Sequence, residues 1–148
     1  MIVGDKGKYG NRGAAYAFVL AGYILWDEVM RIMPIIGISS RYSFGVAVAL
    51  YGDRSLVGAD ESDKKGDDSG SAYIFHRVNG VCQGEENLVP ADGASGDWFG
   101  YDVDISGDTD IIGYPRDGDI GHWQWVCIFF HCMGEWNMGG GTETCTCR

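Results

Sequence analysis

The sequence is poor in proline and in basic residues, and it lacks a long apolar run. Only 3 prolines accompany 24 glycines in 148 residues, and 11 Lys and Arg face 21 Asp and Glu, which gives a net charge of -10. So acidic a chain is repelled by a phosphate backbone, and we expect no nucleic-acid partner. The longest apolar run, residues 14–26, is shorter than the ~20 residues of a membrane helix. We therefore expect no membrane span in this chain.

Motifs of the common catalytic sites are missing as well. The sequence has no GxSxG elbow, Walker loop, HExxH or dinucleotide fingerprint. We therefore expect a protein that is not an enzyme and that uses no cofactor. A secretory signal is not visible either, since no charged head followed by an apolar stretch and a cleavage site opens the chain.

One pattern recurs along the chain at a constant offset. Segment 44–53 returns as 99–108 with five identities: Phe44/Phe99, Gly45/Gly100, Val48/Val103, Gly52/Gly107 and Asp53/Asp108. The same offset relates 56–58 to 111–113 and 75–76 to 130–131. A partial earlier copy opens the chain, where 2–4 resembles 56–58 and 13–18 resembles 70–75. The chain thus begins in mid-repeat, and we expect the first copy to be completed by sequence upstream or by strands from elsewhere.

Each copy has the pattern of four short β-strands. In segment 44–50 every second residue is large and apolar, while Gly45, Ala47 and Ala49 form a small-residue face that lets a second sheet approach closely. Further strands are predicted at 55–59, 70–77 and 83–89, and the last corresponds to 26–33 in the first copy. Four strands per repeat predict an all-β fold, an incomplete β-propeller of about 2.7 antiparallel blades.

These residues resemble the FG-GAP repeat, the blade unit of integrin α-chain propellers and related extracellular propellers. The FG pair stands at Phe44-Gly45 and Phe99-Gly100, and degenerate GAP triplets stand at 58–60 and 113–115. The resemblance implies a non-enzymatic, extracellular or cell-surface scaffold for protein binding or adhesion, part of a larger protein. Its partner would be a protein ligand or further blades of the same propeller. The alternatives are an accessory propeller of a secreted enzyme and a small metal-binding protein.

The resemblance also raises the question of where this chain would bind calcium. Many integrin-type blades carry a DxDxDG loop between their first two strands, but here that connection is too short to supply 6 to 8 oxygen ligands. The other candidate for a calcium site is the acidic loop after the second strand, together with its counterpart one repeat later. Its predicted ligands are Asp60, Asp63, Asp67, Asp68, Asp117 and Asp119.

Two acidic residues interrupt the small-residue face in the next copy. Asp102 and Asp104 replace Ala47 and Ala49, and two bare carboxylates are costly between packed sheets. We therefore expect this face to be uncovered there. The domain prediction is a partial first blade at 1–43, a complete repeat at 44–98, a degenerate repeat at 99–136, and a disordered tail at 137–148.

Overall fold

A computed structural model describes residues 1–21, 23, 25–33, 42–79, 81–116, 126–131 and 146–147. These residues form three antiparallel sheets. Sheet 1 contains β1 (Ile2–Asp5), β2 (Ala14–Ala21) and β3 (Leu25–Ile32), with a short helical turn α1 (Lys8–Asn11) before β2. Sheet 2 contains β4 (Val48–Tyr51), β5 (Arg54–Ala59), β6 (Ser71–Val78) and β7 (Val81–Leu88). Sheet 3 contains β8 (Asp102–Ser106), β9 (Thr109–Tyr114), β10 (Val126–His131) and β11 (Thr146–Cys147).

The pairing register of sheet 3 repeats that of sheet 2. Val57 lies opposite Tyr73 in sheet 2, and Ile112 lies opposite Ile128 in sheet 3. All six β5–β6 pairs and all four β4–β5 pairs recur in this way, at the offset that separates Phe44 from Phe99. A one-residue slip would turn every side chain to the other face, so the shared register shows that the repeat holds at the level of structure. The prediction of an all-β fold with antiparallel sheets is confirmed.

The predicted strand at 44–50 is wrong in its first half. β4 begins only at Val48, and Phe44 makes a single parallel bridge to Gly13 in the loop before β2. One repeat later, β8 begins at Asp102 and Phe99 makes the same bridge to Gly70. The FG pair therefore lies in the connection between two sheets and is not part of the hairpin that follows it.

Glycine is required at these crossings because two backbones meet there. Gly45 and Gly100 both have φ of +87°, a conformation that side-chain-bearing residues rarely adopt. The Gly100 N–H donates to the Gly113 carbonyl at 3.2 Å, and the Gly45 N–H donates to the Gly58 carbonyl at 2.9 Å. A Cβ on Gly100 would collide with the Ser71 carbonyl oxygen. The FG motif is thus the junction at which the backbones of two neighbouring sheets are in contact.

Two apolar cores lie between the sheets. Neighbouring residues in β5 point to opposite faces of sheet 2, and each face packs into one of the two cores. Val57 packs towards sheet 1 with Phe44, Tyr73 and Phe75, and the Phe44 ring meets the Tyr73 ring edge-on at 5.4 Å. On the other side, one core joins sheets 2 and 3, with the predicted small-residue face packed against it: Leu56, Ala72, Ile74, Leu88, Phe99, Val103, Ile112 and Tyr114, with Ala47 and Ala49.

On the opposite face of sheet 3, Asp102 and Asp104 are exposed among the described residues, which agrees with the expectation from the sequence. In β8 exposed and buried residues alternate, with both aspartates exposed and Val103 and Ile105 buried towards sheet 2. The side-chain carboxylates accept hydrogen bonds from the N–H groups of the residues that follow them, at 3.0 Å for Asp102 and 2.8 Å for Asp104.

The described sheets occupy 2–32, 48–88 and 102–147. The predicted domain boundaries at 43/44 and 98/99 fall between these sheets, whereas the boundary at 136/137 falls within the span of sheet 3. The domain division remains a prediction. Within the predicted tail 137–148, Thr146 and Cys147 pair with His131 and Phe130, and the other tail residues lie outside the described ones.

Candidate functional site

Loops gather at one end of the stacked sheets. Loop 60–70 joins β5 to β6, loop 6–13 joins β1 to β2, and segment 89–101 leads from sheet 2 to sheet 3. We call these loops, together with residues 42–47, the loop rim. The tight turns at 52–53 and 107–108 lie at the other end of the strands. The long loops thus lie at one end of the sheets and the short turns at the other. Binding residues are most often found on such loops, so the loop rim is the candidate binding surface.

Buried serines hold the base of loop 60–70. The hydroxyls of Ser62 and Ser71 lie 2.6 Å apart, and the Ser69 hydroxyl donates to the Ser62 carbonyl at 3.1 Å. All three serines are buried. The backbone closes the same turn, since Gly70 N–H donates to the Ser62 carbonyl at 2.8 Å. The loop therefore has a fixed base from which its acidic tip projects.

The loops of the rim are joined to one another across the sheets. The Gly96 N–H donates to the Asp67 carbonyl at 2.9 Å, and the Trp98 N–H donates to the Asp68 carbonyl at 3.2 Å. Between the first two sheets, the Ser43 hydroxyl donates to the Glu61 carboxylate at 2.9 Å. The rim is thus one connected surface.

An aromatic cluster stands on this surface where sheet 2 meets sheet 3. The Trp98 and Tyr101 rings are nearly parallel, at an interplanar angle of 10° and a centroid distance of 6.2 Å. The Arg116 guanidinium lies 3.5 Å from the Trp98 ring centroid, a cation–π contact. Tyr101 remains 40% exposed. Trp, Tyr and Arg are the residue types that most often carry the binding energy of protein interfaces.

A second, smaller aromatic group lies on the loop of sheet 1. The Tyr9 hydroxyl and Arg31 Nη1 are 2.6 Å apart, and the Arg31 guanidinium carbon lies 5.6 Å from the Tyr9 ring centroid. Lys8 also approaches this ring, at 6.0 Å. This end of the rim is therefore basic, whereas the loop of sheet 2 is acidic.

Asp60 is the most unusual of the predicted calcium ligands. It directly follows β5 and is only 6% exposed, and its Oδ1 has no hydrogen-bond partner among the described residues. Burial, with a smaller contribution from the Glu61 charge, raises its pKa from 3.8 to about 6, against the opposing attraction of Lys6. Burial favours the neutral form of the carboxyl group, and hydrogen bonds from the Asp60 and Glu61 backbone N–H groups only partly oppose this effect.

The other predicted ligands do not gather around Asp60 in the described part of the chain. Asp63 accepts a hydrogen bond from the Asp68 N–H at 3.0 Å, and Asp67 is exposed. Among described residues no group of three or more His, Cys, Asp or Glu is placed to hold a metal ion. Asp117 and Asp119 lie outside the described residues. The calcium site remains a prediction.

Replacing Asp60 by asparagine is expected to stabilise the protein at pH 7. Since the pKa is raised on folding, from 3.8 to about 6, the ionised carboxylate destabilises the fold above the higher value and not below the lower one. The gain is on the order of 1 to 2 kcal/mol after allowance for solvent screening. Urea unfolding between pH 4 and pH 8 measures it, with the exposed Asp92→Asn as the control of equal charge. An equal gain in both variants would contradict a special role of burial at Asp60.

The antiparallel sheets stack on one another, and their pairing register recurs from sheet 2 to sheet 3. These features define an all-β repeat protein. The FG-GAP repeat model matches residues 26–75 and 83–124, more than half of the chain. The chain belongs to the FG-GAP repeat family. Each match begins in the last strand of one sheet and continues through the FG junction into the next sheet. The repeat that the family model describes therefore includes this junction. The comparison with curated proteins finds no match.

Proposed function

We propose that the chain is a non-enzymatic, cofactor-independent binding scaffold whose loop rim contacts a protein partner. The observation that carries the proposal is the cluster of Trp98, Tyr101 and Arg116 at the junction of two sheets. The rings stand on a backbone fixed by the FG crossing and by the Trp98 N–H bond to Asp68. A rigid aromatic anchor loses little conformational entropy on binding.

The charge of the rim near this cluster favours a partner with a basic surface. Loop 60–70 holds five acidic residues against two lysines, and the chain as a whole carries a charge of -10. Complementary charge speeds the encounter and selects among partners. We therefore expect the partner to present Lys or Arg next to an apolar side chain that packs on Tyr101.

The finer proposal is an incomplete β-propeller of about 2.7 blades, part of an extracellular adhesion protein. The support for it is the family, whose repeats are typical of extracellular and surface proteins, together with sheets that pack face to face through two apolar cores. Propellers close with about 4 to 8 blades, so further sheets are needed to complete a ring. In the described residues no helix is both long and apolar enough to cross a membrane.

Parallel affinity capture tests the role of the rim. The wild-type chain, the double variant Trp98→Ala/Tyr101→Ala and the control Tyr51→Ala would each be immobilised and exposed to the same extracellular extract. Tyr51 is 52% exposed at the opposite end of the strands. We expect a protein that the wild type and the control retain, and that the rim variant loses by at least ~10-fold in affinity. Equal retention by all three proteins would contradict binding through the rim.

A further inference from the structure

The loop between β1 and β2 brings two cations to one aromatic ring. The Arg31 guanidinium carbon lies 5.6 Å from the Tyr9 ring centroid, and the Lys8 Nζ lies 6.0 Å from it. Arg31 Nη1 also donates to the Tyr9 hydroxyl at 2.6 Å. Because the phenol oxygen accepts this bond, its own hydrogen is left to donate to another group, and the charged neighbour makes it a stronger donor. The Tyr9 hydroxyl and the Arg31 guanidinium are thus placed to donate to the same acceptor.

The cations around this ring have no acidic partner among the described residues. Neither of the ion pairs found in that part of the chain involves Lys8, Arg12 or Arg31. The acidic residues of sheet 1 lie on its strands: Asp5, Asp27 and Glu28. None of them forms an ion pair with the three cations. Segment 34–41, which follows sheet 1 in the sequence, contains one arginine and no Asp or Glu. An uncompensated positive charge of this kind attracts an anion.

The charge of this loop is opposite to that of the corresponding loop one repeat later. Residues 6–13 contain Lys6, Lys8 and Arg12 and no acidic residue, whereas loop 60–70 contains five acidic residues and two lysines. Lys6 acts on the acidic loop, because its charge opposes the rise in the Asp60 pKa that burial causes. Lys8 and Arg12 have no such counterpart among the described residues, so the positive charge of the loop is concentrated beside the Tyr9 ring.

The backbone of the loop is fixed by the segment that leads into the FG junction. The Tyr42 and Ser43 N–H groups both donate to the Asn11 carbonyl at 3.0 Å. Tyr9 itself has φ of +54°, a conformation that a bulky residue rarely adopts. Such residues are concentrated at binding sites, where surrounding contacts impose the conformation. The Tyr9 side chain is therefore positioned before a ligand arrives, which lowers the entropic cost of binding.

We infer that loop 6–13 and Arg31 form an anion-binding site, in which the Tyr9 hydroxyl and the Arg31 guanidinium donate to one oxyanion group of a ligand and Lys8 adds its charge. An oxyanion suits this set of donors, because hydrogen bonds from a guanidinium to a carboxylate or phosphate are roughly twice as strong as bonds between neutral groups. The site does not require the protein partner proposed above, since it lies on sheet 1 and not at the Trp98 cluster.

Nuclear magnetic resonance titration of the isotope-labelled 148-residue chain tests the inference, with sodium acetate and sodium phosphate as the probes. Sodium chloride keeps the ionic strength constant, so that general screening of charge does not change. We expect saturable shifts of the amide signals of residues 8–12, with a dissociation constant on the order of 1 to 10 mM. The probe with the lower dissociation constant identifies the ligand group as a carboxylate or a phosphate. Shifts that do not saturate with either probe up to about 50 mM overturn the inference.

Three variants separate a built site from a general effect of charge. Tyr9→Phe keeps the ring, removes only the hydroxyl and is expected to weaken binding roughly 5-fold. Arg31→Met removes the charged donor and is expected to weaken binding by roughly 10-fold or more. The control Arg77→Met removes a charge from an exposed arginine at the opposite end of the strands, where Arg77 pairs with Asp53, and is expected to leave binding unchanged.

The signals of residues far from the loop report whether each variant keeps its fold, and all three changed side chains are exposed. Equal weakening by Arg31→Met and Arg77→Met would reveal an effect of net charge alone and overturn the inference. A Tyr9→Phe variant that binds both probes as tightly as the wild type overturns it as well.

Discussion

Replacing Gly100 by alanine is expected to lower the free energy of unfolding by roughly 3 to 5 kcal/mol. Two costs add at this position. Gly100 has φ of +87°, and its Cβ would meet the Ser71 carbonyl group and, at 3.2 Å, the Ala59 nitrogen. Both contacts are backbone atoms of sheet 2, so relief requires that sheets 2 and 3 move apart and expose the core around Phe99. Urea unfolding monitored by tryptophan fluorescence measures the loss.

Gly96 supplies a closely matched control. Its φ of +85° is nearly the same, but an added Cβ would have nothing within 4 Å. Gly96→Ala therefore measures the conformational cost alone, about 1 to 2 kcal/mol. The difference between the two variants reports the close approach of the two sheets. Equal losses would mean that the sheets are not in contact at the FG crossing.

The second large effect is expected at the ion pair between sheets 2 and 3. Arg54 donates to the Asp110 carboxylate at 2.6 Å and to the Gly107 carbonyl at 2.9 Å, and the Asp110 side chain is fully buried. Burial raises the pKa of Asp110, while the neighbouring Arg54 charge lowers it. Arg54→Met would leave the carboxylate buried without its partner, at a cost of about 3 to 5 kcal/mol.

Two further variants make this prediction specific. The exposed pair of Arg77 and Asp53, with side chains 48% and 64% exposed, is the control, and Arg77→Met is expected to cost about 1 kcal/mol or less. The double variant Arg54→Met/Asp110→Leu removes both charges and is expected to recover most of the stability lost in Arg54→Met. If Arg54→Met and Arg77→Met cost the same, the buried pair does not hold the two sheets together.

Much of the fold followed from the repeat, because a constant offset between the copies leaves one register for the strands. The fourth strand of sheet 2, predicted at 83–89, lies at Val81–Leu88. The segment before β4 could not be predicted this way. Its alternation of large and small residues fits a strand and also fits a connection between two sheets. Only the parallel bridge from Phe44 to Gly13 distinguishes these two structures.

The features that depart from the repeat were the hardest to predict. Arg54 and Asp110 are matched to Thr109 and Ser55, so comparison of the copies gives no sign that they form a pair. Asp60 was expected in an open acidic loop, yet it is buried directly after β5, where Lys6 of the loop between β1 and β2 acts on its charge. Trp98 has a positive φ, and its N–H donates to the Asp68 carbonyl in another loop. Contacts between sheets decide all three cases.

Cross-strand nuclear Overhauser effects between backbone protons would test the repeated sheet most directly. They are expected between Leu56 and Ile74 in sheet 2 and, one repeat later, between Ile111 and Phe129 in sheet 3. Observation of both pairs at this register is the result that the account predicts. A register in sheet 3 shifted by a single residue, or helical sequential contacts in either segment, would contradict it.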